Sequence, residues 1–133
     1  MIGLVAGDFG RLHDGHLDHI IKASMICDFL YVVTHTDESI EQRKGYKPIP
    51  LWARLWYLTG ILRLLRKDGE VLLSYDHDGT IANTLRVIRP DRLIKGGDRT
   101  PDNMPAAELT VCRELGIEIV YGIGDQLNES RKL

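Results

Sequence analysis

Cysteine, excess charge and long apolar runs are all scarce in this chain of 133 residues. The two cysteines, Cys27 and Cys112, are isolated, which is typical of reduced thiols and argues against a disulfide framework. Lys and Arg total 17 against 19 Asp and Glu, a net charge of −2, so a surface dedicated to coating nucleic acid is excluded. The first residues carry neither a basic segment nor an apolar stretch long enough for export, and we therefore expect a cytoplasmic protein.

The overall composition is that of an ordinary folded domain. Hydrophobic residues make up 44% and charged residues 27%, which excludes collagen-like, disordered and membrane-spanning classes. We expect one domain over residues 1–133, with a core that needs no disulfide or metal. Two features stand out: glycine is abundant, at 13 residues, and three of the 5 histidines (His13, His16 and His19) lie in one short stretch.

Apolar runs alternate with longer segments of helical period, and this alternation predicts the fold class. Most of the runs are nearly continuous in apolar residues, which is typical of parallel strands that are covered on both faces. The predicted strands are Ile2–Ala6, Phe29–Thr34, Glu70–Ser74, Arg92–Lys95 and Glu118–Tyr121.

Four helices are predicted between these strands. The connection from Thr36 to Ile49 is predicted to be irregular, and a connection of that length is more often functional than not. We therefore expect a Rossmann-like α/β fold: a single doubly wound sheet of five parallel strands in the order 3-2-1-4-5, with helices on both faces and a crevice at the carboxyl ends of the strands. The predicted helices are His16–Cys27, the segment between Pro50 and Lys67, Thr80–Ile88 and Met104–Leu115.

The first strand ends in Gly7-Asp8-Phe9-Gly10, and the next helix starts near His13-Asp14-Gly15-His16. In this fold class the first turn between strand and helix binds phosphates, because glycines let the backbone approach and the helix start offers free N–H groups. Two histidines placed there can both donate N–H groups to one anion. A zinc site and a purely structural capping role are the alternatives, but no cysteine lies nearby to complete a zinc site.

His13-x-Gly15-His16 after Gly7-x-Phe9 resembles the signature of the HxGH nucleotidyltransferase superfamily. Two further segments extend the resemblance along the chain. The segment from Lys44 to Ile49, with Arg54, is similar to one in the heptose 1-phosphate adenylyltransferase domain, and so is Arg89-Pro90-Asp91 with the following Lys95-Gly96-Gly97-Asp98. Glycerol-3-phosphate cytidylyltransferases resemble the chain less closely at that last strand.

The resemblance implies a role for each matching residue. His13, His16 and Lys44 would be catalytic and would stabilise charge on the α-phosphate, while Lys47 and Arg54 would bind the acceptor. Asp98 would take ribose hydroxyls, and Ser130 would bind phosphate. The residues implied to bind the nucleotide are Gly7, Asp8, Phe9, Gly15, Lys95, Gly97, Asp98 and Ser130.

The chain departs from the family pattern at two substrate turns. Asp8 and Gly10 stand in the first turn, so that an acid lies where a small residue usually approaches phosphate; Asp8 could repel an anionic acceptor or bind it through Mg²⁺. The last turn is reduced to Asn128-Glu129-Ser130, shortly before Leu133.

We therefore predict a Mg²⁺-dependent nucleotidyltransferase that moves AMP or CMP from ATP or CTP to a small phosphorylated acceptor, a sugar or polyol phosphate, and releases pyrophosphate. No nucleic-acid or membrane partner is expected, and a homodimer is plausible by analogy. The alternatives are a non-catalytic nucleotide-binding or regulatory domain and a flavodoxin-like electron carrier.

Trp52 and Trp56 indicate either a subunit interface or packing under the long loop. Asp76-His77-Asp78 is predicted to cap the next helix.

Overall fold

Five short apolar runs form one parallel sheet in the computed structural model, which describes residues 1–124. The sheet order is β3-β2-β1-β4-β5, so the predicted Rossmann-like topology is confirmed. Register follows directly from the first strand, where Ile2 lies opposite Phe29 and Leu4 lies opposite both Tyr31 and Leu93. The strands are β1 (Ile2–Ala6), β2 (Phe29–Thr34), β3 (Gly69–Leu73), β4 (Arg92–Ile94) and β5 (Glu118–Val120).

Helices cover both faces of the sheet, and each face has its own apolar cluster. One cluster packs Ile20 and Leu58 against the strands, and the other packs Leu85 and Val111 against the opposite face. Because both faces are covered, the central strands are apolar throughout instead of alternating. The helices are α1 (Asp14–Ser24), α2 (Asp37–Lys44), α3 (Leu51–Leu64), α4 (Ala82–Ile88) and α5 (Ala106–Leu115), with a 3₁₀ turn at Pro101–Asn103.

The prediction that residues 36–49 are irregular is wrong, because α2 occupies the first half of that connection. Thr36 caps the helix by accepting a hydrogen bond from the Ser39 N–H at 3.1 Å, and Gly45 ends it in the left-handed conformation with φ of 76°. Acidic residues open α2 and basic residues close it, as the helix dipole favours. Since Ile40 is the one apolar residue in α2, the segment shows no amphipathic stripe in the sequence.

Several helix boundaries also differ from the prediction. Helix α1 begins at Asp14 because His13 is its N-cap, and it ends at Ser24, before Cys27. Helix α5 begins only at Ala106, since the 3₁₀ turn and Pro105 precede it. The order of the five strands and of the four predicted helices agrees with the prediction.

Arg54 is fully buried on α3 and joins several backbone segments. Its guanidinium donates to the Ile49 carbonyl at 2.8 Å and to the Thr34 hydroxyl at 2.7 Å. It also donates to the His35 carbonyl at 2.8 Å, and it pairs with Asp37 at the start of α2. The prediction that Arg54 binds the acceptor is therefore corrected: its donors are used inside the fold.

Trp52 and Trp56 are 74% and 77% exposed on α3, so packing under the loop before that helix is excluded. Their role in a subunit interface stays a prediction. Within residues 1–124, every helix is too short or too polar to cross a lipid bilayer.

Replacing Arg54 with Met tests its structural role. We expect Arg54→Met to lower the free energy of unfolding by more than ~3 kcal/mol, because several buried acceptors lose their donor. Urea denaturation measures the change, and Arg113→Met, at an exposed site on α5, is the control with an expected effect below ~0.5 kcal/mol. Equal stability of the two variants would show that the network contributes little.

Candidate active site

A cleft of about 810 Å³ lies at the carboxyl ends of the central strands. This volume falls in the range of ligand pockets, which is roughly 300 to 1,000 Å³. The position agrees with the crevice predicted from the doubly wound topology. Of the residues predicted to form the site, those that line the cleft are Gly7, Asp8, Phe9, His13, Gly15, His16, Lys44, Lys95, Gly97 and Asp98.

Phe9 forms the sharp turn between β1 and the histidine motif. Its φ of 49° lies in the left-handed region, which is costly for a residue with a Cβ. Burial of the Phe9 ring, which is 2% exposed, offsets the cost of this backbone conformation. The ring contacts the His16 ring edge-on, with centroids 5.2 Å apart. The strained turn thus packs the Phe9 ring against the imidazole of His16.

His13 is the N-cap of α1, and the cap fixes its tautomer. Its Nδ1 accepts a hydrogen bond from the Gly15 N–H at 3.0 Å, so in the neutral ring the proton lies on Nε2. A Cβ at position 15 would lie 2.9 Å from the His13 ring, and glycine is therefore required for this arrangement. His13 is left with an Nε2–H donor for a ligand.

His16 stacks on His13, with ring centroids 3.7 Å apart and an interplanar angle of 22°. Burial, and then the neighbouring His13 and His19, lower the pKa of His16 to about 4. His16 is thus neutral at pH 7 and offers a hydrogen bond, without the positive charge that a protonated ring would carry. Its Nδ1 is buried and has no hydrogen-bond partner within residues 1–124.

His19, the third histidine of the cluster, anchors the segment after β5. Its Nδ1 donates to the Ile123 carbonyl at 2.6 Å, since a carbonyl can only accept. Burial lowers the pKa of His19, although this hydrogen bond opposes the effect. His19 therefore holds one wall of the cleft while His13 and His16 lie nearer the helix start.

Asp8, which the sequence left unexplained, is neutralised by Arg43. The guanidinium donates to both carboxylate oxygens, at 2.7 and 3.1 Å, and Lys44 lies 3.8 Å from the same carboxylate. Burial raises the pKa of Asp8, but the hydrogen bonds and charge of Arg43 outweigh this effect and the pKa is below its usual value. Gly79 leaves room for the pair, because a Cβ there would lie 2.6 Å from Arg43 Cδ.

Lys95 and Glu108 form a second, deeper ion pair. The Lys95 Nζ lies 3.0 Å from Glu108 Oε1, and the two residues are 8% and 3% exposed. The other carboxylate oxygen of Glu108 accepts from the Ile81 N–H at 3.2 Å. Lys95 was predicted to bind the nucleotide, and the structure gives it an internal partner that holds its charge in place.

Two further predicted residues, Lys47 and Arg54, do not line the cleft. Lys47 is exposed in the loop after α2, where the Ile49 N–H binds the Gly10 carbonyl at 2.8 Å. Arg54 lies in the interior, and Ser130, like Asn128 and Glu129, lies outside the described residues.

The Asp76-His77-Asp78 segment performs the capping role that the sequence predicted. The buried Asp76 carboxylate accepts hydrogen bonds from the Asn83 and Thr84 N–H groups at the start of α4, at 2.9 and 3.0 Å.

Within residues 1–124, no group of three or more His, Cys, Asp or Glu side chains is arranged to hold a metal ion.

Several cleft residues were not predicted from the sequence, among them His19, His35, Arg43 and Glu108. His19 and Arg43 stand beside motif residues, and their helical spacing was the available signal. His35 and Glu108 gave no signal, because their position depends on which polar residues the fold buries.

Comparison with known proteins relates most of this chain to one group of larger proteins. It is 34% identical over 111 residues to the bifunctional protein HldE of Nitrosococcus oceani, a match that covers 84% of this chain and 23% of that protein. HldE of Hyphomonas neptunium is 34% identical over 121 residues, covering 90% of this chain and 23% of the relative. The chain thus spans about a quarter of the length of these relatives. No protein-family model matches it.

Solved structures share the same architecture. The lipopolysaccharide core biosynthesis protein from Thermoplasma volcanium superposes with a TM-score of 0.70 at 26% identity, covering 95% of this chain and 98% of that chain. A pantoate-beta-alanine ligase from Francisella tularensis (TM-score 0.55, 18% identity, 90% and 57% covered) and a universal stress protein from Archaeoglobus fulgidus (0.58, 16%, 91% and 97%) share the fold alone.

Fold, cleft and paired histidines together define a nucleotidyltransferase-like domain of the Rossmann type. The relatives agree with this class. The chain is homologous to a segment of HldE, and its likeness to the lipopolysaccharide core biosynthesis protein extends over nearly the whole fold.

Lowering the pH from 7 to 5 tests the buried neutral histidines. The unfolded chain takes up protons near pH 6.5, whereas folded His16 does so only near pH 4. Stability is therefore full above pH 6.5 and is lost as the pH falls toward 4. Between pH 7 and pH 5 we expect the lowered pKa of His16 to decrease the free energy of unfolding by about 1 kcal/mol, a figure that already allows for the solvent that reaches the ring. Urea denaturation at each pH measures the slope; an unchanged slope in His16→Gln would contradict the assignment.

Proposed function

We propose that this chain transfers a nucleoside monophosphate, AMP in preference to CMP, from a triphosphate to a small phosphate monoester and releases pyrophosphate. The carrying observation is the stacked pair of His13 and His16 at the start of α1, in one cleft with Lys44. The buried, unpartnered Nδ1 of His16 supports a ligand in this place, since an unsatisfied buried nitrogen costs free energy. Homology to HldE supports the reaction class.

The acceptor in this proposal is a sugar or polyol phosphate. Its phosphate has a second pKa of about 6, so the attacking oxygen is already ionised at neutral pH and no general base is needed. That oxygen bonds to the α-phosphorus as the bond to the bridging oxygen of pyrophosphate breaks, and pyrophosphate leaves with the electron pair. The protein's part is to position two polyanions in line and to stabilise the developing charge.

Three cleft residues, His13, His16 and Lys44, have a part in this mechanism. His13 donates through Nε2–H, because its Nδ1 is already used by the Gly15 N–H. Neutral His16 supplies a hydrogen bond to a phosphate oxygen, and Lys44 supplies positive charge at the cleft rim, where its side chain is half exposed. The remaining backbone N–H groups at the start of α1 favour the same anion.

Magnesium enters this proposal with the triphosphate. The described residues do not fit a resident magnesium site, because both oxygens of Asp8 already accept from Arg43 and no third carboxylate or histidine completes a cluster. Asp8 therefore does not fit a role in binding an acceptor through Mg²⁺. The ion would neutralise phosphate charge before and after binding.

Pyrophosphate release tests the proposed reaction. The protein is incubated with Mg²⁺, ATP or CTP, and a panel of phosphate monoesters, and pyrophosphate is measured. We expect release with ATP above that with CTP, and a loss of about 100-fold or more in kcat for His13→Ala and His16→Ala, because donors to the transition state are removed. His77→Ala, an exposed histidine outside the cleft, is the matched control. If the protein binds nucleotide but releases no pyrophosphate with any pair of triphosphate and phosphate monoester, the non-catalytic alternative is favoured.

A double substitution tests the pairing of Asp8 with Arg43. Arg43→Met removes both hydrogen bonds to the Asp8 carboxylate and leaves it only the more distant ammonium of Lys44, so we expect its charge to repel phosphate and to weaken triphosphate binding about tenfold by calorimetry. Adding Asp8→Asn removes this negative charge and restores binding. If the double variant binds as weakly as Arg43→Met, Arg43 itself contacts the phosphates.

A further inference from the structure

His35 stands at the end of β2 in a part of the cleft that the proposed transfer chemistry does not use. It is 3% exposed, it lines the cleft, and its Nδ1 has no hydrogen-bond partner within residues 1–124. A buried nitrogen without a partner costs free energy, and such groups call for a functional explanation.

The backbone of His35 is held rigidly. Its carbonyl accepts from Arg54, and the preceding Thr34 hydroxyl both accepts from Arg54 and donates to the Asp8 carbonyl at 2.9 Å. A residue fixed in this way loses little conformational entropy when it binds a ligand, so its ring is preorganised.

The surroundings of His35 are polar but balanced in charge. The Asp8–Arg43 pair and the Lys95–Glu108 pair line the same cleft, and each carboxylate has its own cation. Burial lowers the pKa of His35, so the ring is neutral at pH 7. A second phosphate group bound here would lie near the carboxylates of Asp8 and Glu108, and the neutral ring of His35 would offer it no positive charge. An uncharged group that can both donate and accept fits better.

We propose that His35 hydrogen-bonds a hydroxyl group of the acceptor and thereby selects polyhydroxylated phosphate monoesters over alkyl phosphates. This inference rests on the proposed function and adds a specificity residue to it. The acceptor's phosphate then lies toward the histidine pair and Lys44, while its hydroxyl-bearing carbons lie toward the end of β2. A neutral imidazole, with one donor and one acceptor nitrogen, matches a hydroxyl on either edge.

The first test measures binding to the unaltered protein and needs no turnover. Ring signals of His35 are assigned by NMR, and hexose 1-phosphates and glycerol 3-phosphate are compared with their hydroxyl-free counterparts, cyclohexyl phosphate and propyl phosphate. We expect the polyol phosphates to shift the His35 signals and the alkyl phosphates to leave them in place. No shift with any polyol phosphate that binds, or equal shifts with both classes, overturns the inference.

The second test measures selectivity. The ratio of kcat/KM for the favoured polyol phosphate to that for its hydroxyl-free counterpart is expected to fall about tenfold in His35→Leu, since one buried hydrogen bond is lost. His35→Asn, which keeps a hydrogen-bonding group, should recover part of the ratio, and His77→Leu should leave it unchanged. Equal losses for both acceptors would indicate a structural role for His35.

The two tests separate this inference from the proposed function. His35 shifts without any pyrophosphate release would retain the hydroxyl subsite and reject the transferase. Pyrophosphate release with no preference for hydroxyl-bearing acceptors would retain the transferase and reject the role of His35.

Discussion

Arg54 carries a positive charge into the interior, where its guanidinium joins the carboxyl ends of β1 and β2 to the start of α2 and the loop before α3. Each of these segments presents a cleft residue or leads to one. Asp8 follows β1, His35 follows β2, and Arg43 and Lys44 close α2. The relative positions of these groups therefore depend on one planar donor that is surrounded by acceptors. A lysine ammonium, with three donors on a flexible stem, could not donate hydrogen bonds to all of these acceptors at once.

The cleft combines paired charges with neutral rings. Asp8 and Glu108 each have a basic partner, whereas burial lowers the pKa of His16 and of His35 and keeps these two rings neutral. This arrangement would suit the proposed binding of a polyanion by a chain with a net charge of −2, since the carboxylates are compensated locally and the helix start supplies N–H donors. Binding of an anion would in turn favour protonation of His16, because a nearby negative charge stabilises the imidazolium.

Sequence reasoning was strongest where structure is local. The five apolar runs predicted the sheet, and the glycine and histidine motif predicted that the turn at the end of β1 lines the cleft. Helix α2 was missed because Ile40 is its one apolar residue, and because its caps and its ion pairs with Asp8 and Arg54 leave no apolar periodicity in the sequence. The role of Arg54 was assigned wrongly for a related reason: a motif shows which residues recur together, but burial is decided by tertiary packing.

The polar residues of the cleft wall show the same limit. Nothing in the residues around His35 or Glu108 distinguishes them from surface histidines and glutamates, and only the topology brings Glu108 of α5 beside Lys95 at the end of β4. Asp8 is the opposite case. Its departure from the family pattern was visible in the sequence, but its explanation required the guanidinium of Arg43 from another element.

The ion pair of Lys95 and Glu108 constrains how this chain can change through evolution. Loss of either partner would leave an uncompensated charge in a site that water barely reaches, and such losses are strongly destabilising. Replacement of both together by apolar residues removes that penalty. The two positions are therefore expected to be exchanged as a unit among descendants of this chain, although thirteen residues separate them in the sequence.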